Sequence, residues 1–155
     1  MAEVATRETA LKEAEAVCLR RGAALTPLRR QVLELILQAE APIGAYALLD
    51  RLKAARPGAA PPTVYRALDF LLEQGLIHKV ERLNAFVGCN HPEHAHAHDH
   101  HHPQQFLICR TCGATMEIAD HAVAHAIEAA ARRAGFVLAE ATVEIEGTCA
   151  RCAAA

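Results

Sequence analysis

Two Cys-x-x-Cys pairs, Cys109–Cys112 and Cys149–Cys152, limit what this 155-residue chain can become more than any other feature. Zinc favours tetrahedral thiolate coordination, and a Cys-x-x-Cys turn sets two sulfurs on one ion. Gly113 follows the second ligand and supplies the tight backbone geometry of such a turn. Joined on one ion, the two pairs would tie the end of a small domain to its start. Four thiolates leave no open coordination position, so the site is structural and not catalytic. Redox dithiols or two unrelated thiol pairs are the alternatives, and the expected compartment weighs against them. Met1–Lys12 mixes Glu, Arg and Ala and does not read as a signal peptide, and no apolar run approaches the ~20 residues of a membrane span. A reducing cytoplasm is expected, where spaced cysteines read as metal ligands. Cys18 stands alone in an amphipathic stretch and reads as a small buried hydrophobe.

The length suits one medium domain or two small ones. Hydrophobic residues make up 52% of the chain, enough for a core, but aromatics are only 4% and alanine supplies much of the rest. Each core is therefore small and gains from a metal staple. The net charge of -2 gives no global argument for nucleic acid. Residues 1–88 carry 12 Lys+Arg against 10 Asp+Glu, whereas residues 89–155 carry 4 against 8. Only the first half leans towards phosphate.

That first half reads as helices. Arg7–Arg21 is a helical stretch closed by Gly22, and Thr26-Pro27 is an N-cap followed by a first-turn proline. Leu28, Val32, Leu35 and Ile36 continue a helical stripe. A third helix spans about Ala45–Ala55, with Leu48, Leu49 and Leu52 on one side and Pro57-Gly58 ending it. In the run Pro62–Gly75, Val64, Ala67, Leu68, Leu71 and Leu72 form a buried stripe. Thr63, Tyr65, Arg66, Asp69 and Glu73 are left facing outward. Two extended runs, Leu76–Glu81 and Ala85–Gly88, flank Arg82-Leu83-Asn84 and predict a β-hairpin. Helices followed by such a hairpin are the plan of a winged helix-turn-helix.

The second half changes character. Seven of the ten histidines fall between His91 and His102, in a segment without hydrophobic period that reads as a loop or hinge. Gln105–Cys109 and Ala114–Ile118 read as strands, Asp120–Ala134 as a helix, and Phe136–Glu146 as β-prone. The expected architecture is α+β: a winged helix-turn-helix at 1–88, a His-rich hinge at 89–104, and a small α/β dimerisation and zinc-binding domain at 105–155. Its short C-terminal core makes zinc and dimerisation plausible supports. His121 and His125 are four apart and could share a metal, although a solvated helix surface accounts for them equally well. His78, Cys89, His102 and Glu117 together offer N, S, N and O ligands drawn from both halves. Cysteine in such a set favours zinc over iron. Spacing alone does not single these four out.

Thr26-Pro27 to Arg29, then Pro61-Pro62-Thr63-Val64-Tyr65-Arg66-Ala67-Leu68, then the histidine-rich stretch, then the Cys109/Cys112 knuckle resemble the Fur family of metal-responsive bacterial repressors. Pro61–Gly75 with His78-Lys79-Val80-Glu81 is similar to its zinc uptake regulator (Zur) branch. The resemblance covers nearly the whole chain. It implies a homodimer that binds double-stranded operator DNA, an AT-rich palindrome, when zinc is plentiful, and represses zinc-uptake genes. It implies two Zn2+ per chain: a structural ion on Cys109, Cys112, Cys149 and Cys152, and a regulatory ion on His78, Cys89, His102 and Glu117. Thr63, Tyr65 and Arg66 take the place of DNA-contacting residues. Neither a membrane nor a small-molecule substrate is expected as a partner. Leu28 stands where the family usually has Gln, and the tract before His102 is unusually long, so His100 or His101 could replace His102. No match exists to the additional His/Glu site of several relatives. Rival readings are a Fur-type regulator sensing iron, manganese, nickel or peroxide, and a zinc buffer or chaperone using the histidine tract. A zinc hydrolase needs an open metal position and a base, and Glu117 is more simply a ligand.

Overall fold

The computed structural model describes residues 2–89 and 103–155. The chain divides into two compact units, Met1–His96 and Ala97–Ala155. His102, with His100 and His101, lies outside the described residues.

The first unit starts with four helices: α1 (Ala2–Arg20), α2 (Pro27–Leu37), α3 (Ala45–Ala55) and α4 (Pro61–Glu73). A ribbon follows, with β1 (Ile77–Val80) paired antiparallel to β2 (Ala85–Gly88). Local chemistry explains the boundaries. Thr26 accepts a hydrogen bond from the Arg29 backbone N–H through its hydroxyl, and Pro27 stands at the first turn of α2. The start of α4 has no side-chain cap, but its two prolines need no backbone partner there and pre-set the helical φ. Gly75, at φ 65°, turns the chain out of α4 into β1. Leu11, Ala14, Val17 and Cys18 of α1 join Val32, Leu33 and Ile36 of α2, Leu48, Leu49 and Leu52 of α3, and the α4 stripe in one core. Ile43 and Phe86 exchange backbone hydrogen bonds at 3.0 and 2.9 Å, which fastens the α2–α3 connection to β2. The Arg29 guanidinium stacks on the Phe70 ring, 3.6 Å from its centroid.

The second unit is a three-stranded sheet in the order β4-β3-β5, with helices α5 (His121–Arg133) and α6 (Ala150–Ala153). The strand β3 (Gln104–Cys109) pairs antiparallel with β4 (Thr115–Ile118) and parallel with β5 (Thr142–Gly147). Asp120 caps α5, its carboxylate accepting from the backbone N–H groups of Ala122 and Val123 at 2.8 and 3.1 Å. Phe106 and Ile108 alternate onto the buried face of β3. Leu107 points to the other face, where its cross-strand partners are Met116 and Ile145. All three are exposed: 61% for Met116, 37% for Leu107 and 45% for Ile145.

The structure departs from the sequence expectation in places. Helix α1 begins at Ala2 and not Arg7, and Glu81 belongs to a short 3-10 turn (Glu81–Leu83), not to β1. The β-prone stretch from Phe136 forms a strand only from Thr142 on, because β3 offers its ladder from Thr142 to Gly147 alone. Gly135, at φ 71°, turns the chain after α5, and Phe136 and Val137 lie exposed in the connection. The one-turn helix α6 was not anticipated.

Candidate metal centres and nucleic-acid interface

Strand pairing builds the four-cysteine centre. Cys109 ends β3 opposite Gly147 of β5, so Cys149 arrives beside Cys109 two residues later. The turn after Cys109 is closed by bonds from Gly113 N–H to Cys109 O and from Cys109 N–H to Ala114 O, both 2.9 Å. Gly113 takes φ 74°, the left-handed region that a side chain would strain. Cys149 stands at the N-cap of α6 and Cys152 one turn on, so a single helical turn spaces that pair.

The ligand atoms of Cys109, Cys112, Cys149 and Cys152 all lie within 4.8 Å of one another. The Cys112 and Cys149 sulfurs are 3.8 Å apart. A tetrahedron with zinc–sulfur bonds of about 2.3 Å has edges of about 3.8 Å, so the spacing fits zinc. The thiols are not equivalent. The Cys149 backbone N–H, 3.4 Å from the Cys109 sulfur, is the foremost of several donors that push the Cys109 pKa down to about 5. Cys152 is pushed up to about 12, first by hydrogen bonding with Cys149 and then with Cys112. Cys112 is lowered, first by the Ala114 backbone N–H and then by the Arg151 side chain. In a metal-free centre Cys109 therefore ionises well before Cys152.

In the first unit, His78 and Cys89 make a second ligand pair. Cys89 N–H donates to Leu76 O at 3.0 Å, extending the β1–β2 ladder by one pair. Alternation then sets His78 and Cys89 on one face of the ribbon, away from Ile77 and Phe86, which join the helical core. A ligand nitrogen of His78 lies within 4.8 Å of the Cys89 sulfur. His78 is buried and Cys89 half-buried. Glu117 lies on β4 of the second unit, opposite Phe106.

Helix α4 turns Val64, Ala67, Leu68 and Leu71 inward. Tyr65 and Arg66 are exposed in its first two turns, and Thr63 is half-exposed. One exposed residue was not singled out by sequence: Tyr46, in the first turn of α3, is 70% accessible. Only burial signals it, since a tyrosine at a helix start reads equally well as core. Cys18 is buried as expected, and burial raises its thiol pKa.

A winged helix joined to a four-thiolate, zinc-shaped centre defines the class: a metal-dependent DNA-binding regulator. The chain belongs to the Ferric uptake regulator family, whose pattern matches residues 20–146. It is 43% identical to the zinc uptake regulation protein of Escherichia coli K12 over 97% of this chain and 85% of that protein. Among solved structures, a zinc uptake regulator complexed with zinc and DNA matches with a TM-score of 0.87 at 42% identity, covering 96% of both chains. Holo XcZur matches with a TM-score of 0.83 at 46% identity, over 94% of this chain and 97% of that one. Family membership marks a regulator, not an enzyme. No helix among the described residues is long and apolar enough to cross a membrane.

Proposed function

We propose that the protein is a zinc-responsive transcriptional repressor that binds operator DNA as a zinc-loaded homodimer and turns off zinc-uptake genes. The observation that carries the reading is the His78–Cys89 pair, a soft thiolate and an imidazole on the ribbon that follows the DNA-facing helix. Thiolate in the pair favours zinc over iron or manganese, which separates this reading from a Fur-type sensor of those metals. His102 and Glu117 of the second unit complete the regulatory site. Ligands from both units let zinc favour one arrangement of the dimer over others, which is population shift by differential affinity. The four cysteines hold the structural ion, giving two Zn2+ per chain. Thr63, Tyr65 and Arg66 meet the operator: Tyr65 reads a base edge or thymine methyl and Arg66 clamps phosphate. An AT-rich palindrome matches the two-fold symmetry of the dimer, with half-sites about one helical turn apart. A zinc buffer would leave the exposed Tyr65 and Arg66 without use.

The test is operator binding at fixed salt, with and without zinc, for wild type and Cys89→Ser. Wild type should gain about 5–150-fold in affinity with zinc. The variant should keep its four-cysteine zinc and lose that gain. Full zinc dependence in Cys89→Ser would overturn the sensing role.

A further inference from the structure

We infer that Arg29 is a positioning residue for DNA recognition: its guanidinium locks α4 to the corner between α1 and α2 and makes no phosphate contact of its own. The inference rests on the reading of α4 as the DNA-facing helix. Composition alone would send this side chain to phosphate, since it lies in the half of the chain where Lys+Arg are in excess. In the structure the guanidinium is already engaged twice. Its Cζ lies 3.6 Å from the centroid of the Phe70 ring. Its Nη1 donates to Ala24 O at 2.7 Å. A planar guanidinium can do both at once, because its face stacks on the ring while its N–H groups reach sideways in its plane. The backbone beneath is held as well, since the Thr26 hydroxyl accepts from the Arg29 N–H. Neighbouring arginines follow the same pattern. Arg21 Nη1 donates to Gln74 Oε1 at 3.3 Å, at the C-cap of α4. Arg30 Nε donates to Glu15 of α1 at 2.8 Å.

The place of Phe70 gives the lock its consequence. Phe70 stands four positions after Arg66, so the two are neighbours on one side of α4. The inward stripe of Val64, Ala67, Leu68 and Leu71 sets how deep the helix sits, through apolar contacts that carry no direction. A ring held on its face adds direction and fixes the rotation of α4 about its own axis. That rotation decides whether Tyr65 and Arg66 meet the operator together.

The experiment compares the zinc-loaded full chain with its variants on an operator duplex from a zinc-uptake promoter and on a random duplex of equal length, over a salt series. Arg29→Lys keeps the charge and loses the planar stack. Its operator affinity should fall about tenfold, while binding to the random duplex stays as in wild type. Arg29→Met should leave the salt slope on random duplex unchanged, whereas a lost phosphate contact would lower it by about 0.9. Phe70→Leu should lower operator affinity by a similar factor, and the double variant with Arg29→Lys by no more than the larger single effect, because both break one contact. A mere loss of stability would leave the ratio of operator to random affinity in place. Equal losses on both duplexes, a lower salt slope, additive losses or unchanged operator affinity would each overturn the inference. The lock is also read without DNA: amide hydrogen exchange over Phe70–Gln74 should speed up in Arg29→Lys. Unchanged exchange there would sink the lock, whereas a wild type with no zinc-dependent preference for the operator would sink the repressor reading.

Discussion

Among single side chains, Cys109 and Cys152 are shifted in opposite directions within one ligand set. Cys109 falls from an ordinary 9.0 to about 5, so its ionised form contributes stability in full above pH 9, and that contribution is lost as pH falls towards 5. Cys152 rises from 9.0 to about 12, so its protonated form contributes in full below pH 9 and fades as pH rises towards 12. The metal-free second unit should therefore be most stable near pH 9, as read by urea unfolding followed on the methyl signals of Ile108 and Ile145. Cys109→Ser should flatten the acid side of that profile and leave the alkaline side in place. An acid side of unchanged steepness would contradict the assignment. These four cysteines were legible from spacing alone, because zinc demands thiolates at a fixed separation and the Cys-x-x-Cys turn declares it. His78 and Cys89 were not: they are eleven positions apart, and only the register of β1 on β2 sets them side by side. Tyr46 was invisible for a related reason, since exposure is a property of what surrounds a helix.

The helices were readable because their ends carry chemical signals. Thr26-Pro27 and Gly75 mark boundaries that packing does not have to decide. Strand β5 was less so, since β-propensity names residues that suit a strand without naming the partner that ends it. The parallel partnership with β3 lies in the sheet topology and leaves no local trace. Glycine at 88 shows how element packing reaches the ligand pair. A Cβ there would meet Leu37 Cδ2 at 2.5 Å, against the α2 edge of the core. Gly88→Ala must rotate Leu37 or displace β2, at about 1–3 kcal/mol. Because Cys89 is the next residue, displacement of β2 should raise the zinc concentration needed for half-maximal operator binding several-fold. Adding Leu37→Ala opens the space, so the double variant should recover the zinc response while remaining less stable than wild type. A double variant that does not recover the zinc response would show that Gly88 matters for a reason other than this contact.

For the whole molecule, the decisive surface is the open face of the β4-β3-β5 sheet. Met116, Leu107 and Ile145 are direct cross-strand neighbours in one row, all exposed in the single chain. A row of large apolar side chains on water is the kind of patch that a second copy covers. The proposed repressor also requires two DNA-facing helices on one operator, and a lone chain supplies a single α4. If the sheet face is where copies meet, Leu107→Lys places a charge at the centre of the contact, where it cannot reach solvent or a partner. The two neighbours, Met116 and Ile145, would lose their cover with it. Dimer affinity should fall at least about tenfold, about 1.4 kcal/mol. Leu107 is outside both ligand sets, so the isolated chain should keep its four-cysteine zinc and its fold. Sedimentation over a concentration series reads the dimer, metal analysis reads the zinc, and operator titration reads the consequence. Operator affinity should drop in step with the dimer and recover at protein concentrations that restore it. A variant that stays dimeric and binds operator like wild type would place the interface elsewhere, and Phe136 and Val137, exposed after α5, would then be the next apolar surface to substitute.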